Sequence, residues 1–454
     1  MRMPNVALWG REPDAVRSLL NWLVCWLLLP NIGYWLLWLI GGPPRPTAIV
    51  LTGLLGVLTH RSPFWVKLTA FVGAMLFSAL VFISALFNLS VGSLFYSLRF
   101  AAELNPSASL EYIVCAVAVL LTLVAAWRLL RRPTELVAAR RWVIAVCAVF
   151  VTASADVAMS YGDRGSYKRI APAGAPFTSA VSGSRLLDVA DGERHLVLVM
   201  VEAMGQPADP ALRRRLVDLW ARPEVRERYE VVTGETLFYG STTNGEVREL
   251  CGRWGDYPAL IERADRRCLP GLLAARGYHT SAWHSFQGSF FDRLKWYPNI
   301  GFEEMRFAPE LIRGGADVCP GVFPGACDRD VPRLIGERLK SAEAPEFLYW
   351  LTVNSHLPVV ESEQLNTDHC ARFDPAMAED FPMACRLFQL FDETGRALAH
   401  EVTQPDFPAT DIMIVGDHIP PFFDRQHRNL FEPDRVPWIL LRARDTASAD
   451  AADS

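Results

Sequence analysis

The chain lacks several features that would have pointed elsewhere. Its 454 residues hold no internal repeat and no low-complexity tract. None of its nine cysteines forms a C-x2-C pair, so a zinc cluster of finger or ribbon type finds no support. The formal net charge of -5 is too slight to imply a nucleic-acid partner. Long apolar runs are scarce after residue 161 and concentrated before it, so the two parts of the chain are read separately.

Crossing ~30 Å of hydrocarbon takes ~20 apolar residues, and the amino-terminal part offers such runs repeatedly. They lie at about Leu19 to Ile40, Thr47 to Leu58 with its flanks, Phe64 to Phe87, Leu110 to Leu130 and Trp142 to Met159. We read residues 1–161 as an α-helical membrane domain of about five transmembrane helices. The first apolar stretch is too long for a signal peptide and more spans follow it, so no cleavage is expected. Loop charge sets the orientation. Arg2, Arg11 and Arg17, then Arg61 and Lys67, then Arg128, Arg131, Arg132, Arg140 and Arg141 fall in segments that would face the cytoplasm, whereas the other loops hold only Arg45 and Arg99. Everything after Tyr161 is then extracytoplasmic.

Cysteine usage fits that orientation. Cys25, Cys115 and Cys147 lie within spans and read as small buried apolar residues. The other six, even in number and destined for an oxidising compartment, suggest disulfides. Of the fifteen possible pairings, clustering favours Cys251 with Cys268, Cys319 with Cys327 and Cys370 with Cys385. Residues 162–186 are polar and rich in glycine and proline, a linker. The small, acidic stretch 445–454 reads as a disordered tail.

Between them, 187–444 alternates strand-like and helix-like segments, the pattern of an α/β sheet. Four strand-like runs end on polar residues. HLVLVMV (His195 to Val201) is followed by Glu202, YHTSAW by His284, and FLYWLTV by Asn354, Ser355 and His356; the run Ile412 to Val415 is followed, after Gly416, by Asp417 and His418. In a parallel sheet the carboxyl ends share one edge, where ligands bind, so these residues should converge. A further landmark, YGSTTNGEVRELC, sets Ser241, Thr242, Thr243 and Asn244 at a helix start. There a hydroxyl either only caps the helix, or also stands among free backbone N–H groups able to hold a phosphate. A carboxylate pair, several imidazoles and a capped hydroxyl at one edge describe a metal-assisted nucleophilic site.

These motifs, VEAMG, GSTTNGE, the H-x8-R of HSFQGSFFDR, NSHLP and GDH, occur in an order that resembles the lipoteichoic acid synthase and phosphoethanolamine transferase branch of the alkaline phosphatase and sulfatase superfamily. The resemblance spans roughly 193–440 and implies a sulfatase/alkaline-phosphatase-like domain with a mostly parallel central sheet, in the periplasm of a bacterium and anchored in the inner membrane by a multi-pass domain. It further implies that Glu202, Thr242, Asp417 and His418 bind a divalent metal, zinc or manganese, with Thr242 as the nucleophile. Arg293 and His356 would grip the phosphoryl and headgroup, with His284, Asn244 and His427 also in the substrate set. Phe291 stands where lipoteichoic acid synthases tend to carry Trp.

The chemistry implied is attack of Thr242 on a phospholipid donor, phosphatidylethanolamine or phosphatidylglycerol, release of diacylglycerol, and transfer of the headgroup phosphate to a glycan or lipid acceptor. His356 or His284 would protonate a leaving oxygen. A sulfatase proper would need C-x-P-x-R or S-x-P-x-R, and neither occurs. A phosphodiesterase or phosphatase, with water as acceptor, and a non-catalytic scaffold in polysaccharide synthesis are the alternatives. Donor headgroup and acceptor stay open at this stage.

Overall fold

A computed structural model describes residues 12–36, 44–86, 91–98, 104–136, 138–160, 171–188, 190, 192–422 and 424–444. The expected tail 445–454, part of the linker (162–170) and the end of the first expected span (37–40) lie outside the described residues. The chain divides into two compact units. One comprises Met1–Phe95, Leu110–Arg164 and Phe423–Arg425, the other Tyr96–Ser109, Gly165–Phe422 and Gln426–Ser454.

In the first unit, Phe64–Leu86, Leu110–Leu129 and Ala139–Met159 are long and apolar enough to cross a membrane, while Ala15–Leu28 and Pro46–Leu58 are shorter apolar helices. The first expected span is interrupted: the helix stops at Leu28 and resumes at Ile32–Leu36. Pro30 accounts for the break, since it brings no N–H to continue the helical hydrogen bonds. An arginine tolerated inside an apolar bundle needs partners. Arg45 has them: Nη2 donates to Asn31 Oδ1 at 3.0 Å, Nη1 to Ser78, and the guanidinium lies 3.4 Å from the Tyr34 ring centre. Cys25 is buried as expected, but Cys115 and Cys147 are exposed on their helices. Expecting all three to be buried was wrong for these two. A helix that faces hydrocarbon need not bury a small apolar side chain in protein.

The second unit is built on a seven-stranded sheet in the order β2-β9-β8-β1-β7-β3-β4. The strands are β1 (His195–Val201), β2 (Tyr229–Leu237), β3 (His279–His284), β4 (Glu304–Arg306), β7 (Glu346–Leu351), β8 (Thr410–Gly416) and β9 (Arg435–Ala443), with a separate small hairpin of β5 (Val318–Cys319) and β6 (Gly325–Ala326). From β8 to β4 all neighbours are parallel, and only β9 runs against its neighbours β2 and β8. Every residue of β7 and β8 is buried, as is β1 from its second residue on. That is what near-continuous aliphatic runs do when helices cover both faces of a parallel sheet. The two faces carry separate cores, Val197, Val199, Trp350 and Ile414 on one side and Leu198, Met200, Tyr349 and Val415 on the other.

Register brings the carboxyl ends level. Val201 pairs with Gly416, and Leu351 pairs with both Met200 and His284. The six cysteines of this unit form the three expected local disulfides, Cys251–Cys268, Cys319–Cys327 and Cys370–Cys385.

Candidate active site

Glu202 follows β1 directly, and the chain turns away at once. Ala203 takes the left-handed φ of 57°, and its N–H donates to Asp417 Oδ1 at 2.9 Å. That conformation costs an alanine ~1 kcal/mol, offset here by the bond that ties the ends of β1 and β8 together. Asp417 Oδ1 also accepts from the His418 N–H at 2.6 Å. Below them, Arg248 donates to the carbonyls of Gly416 at 2.8 Å and Asp417 at 3.1 Å, with its own charge met by Glu249.

Thr242 opens the helix Thr242–Cys251, capped by Ser241. The next turn of this helix rests on Asp417: a Cβ built on Gly245 would stand 3.0 Å from the Asp417 carbonyl oxygen, so a glycine lets helix and strand end approach this closely. The result is a tight cluster. Thr242 Oγ1 donates to Glu202 Oε2 at 3.1 Å and lies 3.3 Å from His418 Nε2. His418 Nδ1 is 2.8 Å from the Ile419 carbonyl, which makes Nδ1 a protonated nitrogen and turns Nε2 toward the carboxylates. That Nε2 is 3.3 Å from both Glu202 Oε1 and Asp417 Oδ2. Ligand atoms of Glu202, Asp417 and His418 all lie within 4.8 Å of one another.

The electrostatics of the cluster are unbalanced. Burial together with the charge of Glu202 raises Asp417. Burial works against ionisation of Glu202 too, but the imidazoles of His356 and His418 hold it low. His418 is raised because its two carboxylate neighbours outweigh its burial. Glu202 Oε1 and Asp417 Oδ2 are buried without accepting any hydrogen bond. Two such oxygens, an imidazole nitrogen and a hydroxyl facing one another fit a divalent cation.

His284, at the end of β3, bonds through Nδ1 to the Leu351 carbonyl at 3.0 Å, and burial with the nearby Arg293 charge holds it far below the usual imidazole range. His356 bonds through Nδ1 to the Leu357 carbonyl at 2.8 Å and is also lowered by burial. Both feel the charge of Glu202.

Two residues of the expected substrate set bond within the protein. Arg293 is 1% exposed and grips Glu246, with Nη2 at 2.9 Å and Nε at 3.2 Å from Oε2, while Nη1 donates to the Phe290 carbonyl at 3.1 Å. These bonds hold the guanidinium within the core. Asn244 accepts from the Ser241 N–H at 2.9 Å and donates to the Gly255 carbonyl at 2.7 Å, so its amide caps the helix start. Phe291 lies 5.6 Å from the Arg293 guanidinium and rests against Phe290 and Tyr257. His427 is nested between Phe381 and Phe422.

Glu246 was not singled out from the sequence, although it stands one helical turn after Thr242. It is fully buried and also accepts from Tyr297, and from Tyr349 at 3.2 Å. Glu246→Ala would strand Arg293 as an unpaired buried cation, with an expected loss of about 3 kcal/mol or more. Chemical unfolding of the full chain measures it, and a loss below ~1 kcal/mol would refute the burial argument.

Fold and site together define a sulfatase-like domain carried behind apolar helices. Residues 237–449 match the Sulfatase family; β1 and Glu202 precede the matched stretch. No curated protein matches the chain in sequence. Among solved structures, the lipoteichoic acid synthase LtaP from Listeria monocytogenes is similar at 15% identity, covering 57% of this chain and 67% of its own, with a TM-score of 0.42. The Streptococcus pyogenes phosphoglycerol transferase GacH, in complex with sn-glycerol-1-phosphate, is similar at 16%, covering 57% and 73%, with a TM-score of 0.38. The lipooligosaccharide phosphoethanolamine transferase EptA from Neisseria meningitidis is similar at 13%, covering 99% of this chain and 91% of its own, with a TM-score of 0.49.

Proposed function

We propose that this chain is a membrane-anchored, divalent-metal-dependent transferase that moves a phospholipid headgroup phosphate, phosphoethanolamine or phosphoglycerol, through a phosphothreonine at Thr242 to an envelope glycan or lipid acceptor. The observation that carries the reading is the placement of Thr242 Oγ1, 3.1 Å from Glu202 Oε2 and 3.3 Å from His418 Nε2, at a helix start. Glu202, Asp417, His418 and Thr242 would hold the ion, zinc or manganese, which when bound supplies the Lewis acidity that favours the alkoxide of Thr242 and offsets phosphoryl charge. Glu202 Oε2 accepts from the hydroxyl and so aims Oγ1 away from itself. In the first step Oγ1 bonds to phosphorus as the bond to the diacylglycerol oxygen breaks, and the proton that Thr242 gives up departs on that oxygen. In the second, the acceptor oxygen bonds to phosphorus as the Oγ1–P bond breaks, and the acceptor's proton ends on Oγ1, restoring Thr242. His284 and His356 are both lowered, hence neutral near pH 7, which suits a base for the acceptor hydroxyl better than a standing acid.

The apolar helices keep the domain beside its lipid donor. Three disulfides suit an oxidising compartment, which with the loop charges supports a periplasmic domain on a multi-pass protein of the inner membrane. The test is incubation of the full chain in vesicles with headgroup-labelled phosphatidylethanolamine or phosphatidylglycerol. Label on Thr242 from one of the two donors is expected. Metal-loaded protein that takes label from neither would end this reading, and a protein that binds no metal would favour the scaffold.

A further inference from the structure

The small hairpin of β5 and β6 has no place in the chemistry above, yet it is fastened to both strand ends that carry the site histidines. At its β6 side, the Ala326 N–H donates to the Ser285 carbonyl at 2.8 Å, one residue past His284. The contact is so close that a Cβ on Gly325 would fall 2.1 Å from that carbonyl oxygen. Cys319–Cys327 closes the hairpin, and Asp328 follows.

Asp328 is 4% exposed and turns its carboxylate onto the segment that leads to His356. Oδ2 accepts from the Val353 N–H at 3.0 Å and the Asn354 N–H at 2.7 Å, and the Asp328 N–H returns a bond to Asn354 Oδ1 at 2.7 Å. Asn354 Nδ2 then reaches the Ala326 carbonyl at 3.3 Å. The held turn closes with the His356 N–H on the Val353 carbonyl at 3.0 Å, and Ser355 Oγ donates to the Glu202 carbonyl at 2.7 Å. From the tip of the hairpin, the Phe323 ring lies 3.9 Å from the His356 ring. The hairpin thus fixes the backbone under His356 and packs against its imidazole.

We propose that Asp328 is a positioning residue for His356, and that the Cys319–Cys327 hairpin is the mount through which it acts. The inference rests on the proposed function and deepens it, by assigning the second step, attack of the acceptor oxygen on phosphothreonine, to a His356 held in register by Asp328. A carboxylate that accepts two adjacent backbone N–H groups sets a peptide plane more firmly than one neutral acceptor does, and a general base must reach its proton within a few tenths of an ångström.

The experiment uses the full chain in vesicles with headgroup-labelled phosphatidylethanolamine and phosphatidylglycerol, following both the formation of label on Thr242 and its clearance by water or added glycan. Asp328→Asn keeps one acceptor oxygen and therefore the fold. It is expected to form label at the wild-type rate per folded molecule but to clear it about tenfold more slowly. His356→Ala should slow clearance by about a hundredfold. The double variant should clear as His356→Ala alone does, because Asp328 acts only through that ring. Clearance by Asp328→Asn at the wild-type rate, effects that multiply in the double variant, or formation and clearance falling together with the folded fraction would each overturn the inference while leaving the proposed function standing. Absence of label in the wild type would instead remove the function and this inference with it.

Discussion

Thr242→Ala is expected to abolish headgroup transfer, lowering turnover by about a thousandfold or more, while the protein still folds. The structural change is small: one hydroxyl that is 8% exposed and one hydrogen bond to Glu202 are lost, worth about 1 kcal/mol. The chemical change is total if Oγ1 forms the bond to phosphorus. Neighbouring hydroxyls provide the control. Thr243 Oγ1 donates to Asp256 Oδ1 at 2.7 Å on another side of the helix, and the Ser241 N–H and side chain engage Asn244. Thr243→Ala should therefore still take label on Thr242. Thr242→Ser keeps an oxygen but loses the methyl that restricts its rotamer, and is expected to retain about a tenth of the activity. Measured in vesicles with labelled donor, normal turnover in Thr242→Ala would remove this residue from the mechanism.

That comparison also shows what the sequence could and could not disclose. The strand ends were legible where a buried parallel strand is nearly all apolar, so that polar residues just after it mark the sheet's edge, as Glu202 does after β1 and Asp417 and His418 do after β8; His284 closes β3 behind buried Thr280 and Ser281, and His356 lies five residues past β7. Local cystines were legible for a similar reason, since short loops leave few alternatives. Which of three adjacent hydroxyls faces Glu202 depends on the rotation of one helix against β8, set by contact at Gly245; the residue pattern left that open, and Thr242 was named by the resemblance of GSTTNGE to the family's motif. Arg293 shows the same limit. Its spacing from His284 was readable, but its partner Glu246 lies 47 residues earlier, and only the packed core reveals that the pair satisfies itself. Asp328 follows a cysteine in a hairpin with no periodicity, so nothing in the sequence pointed to its bonds with Val353 and Asn354.

Asp417→Asn is expected to reverse sign with metal. In the wild type, Asp417 Oδ2 is buried with no hydrogen bond, and both burial and the Glu202 charge oppose its ionisation. Without an ion, burial and the Glu202 charge keep a proton on Asp417 near neutral pH, and its buried Oδ2 finds no hydrogen-bond partner, which destabilises the fold. Asparagine keeps an oxygen for the Ala203 and His418 N–H groups and removes the ionisable group beside Glu202, leaving that carboxylate to pair with His418 alone. The metal-free variant should thus be more stable than metal-free wild type, by about 1–3 kcal/mol. With zinc or manganese present the order should invert. The wild type gains about 4 kcal/mol at a thousandfold excess of ion over its dissociation constant, whereas the variant, short of an anionic ligand, gains little and loses transfer activity. Thermal unfolding of the full chain with chelator and with added metal reads both halves. Unfolding curves for the two proteins that fail to cross would show that Glu202, Asp417 and His418 do not enclose an ion, because a bound cation is what would let Asp417 give up its proton beside Glu202.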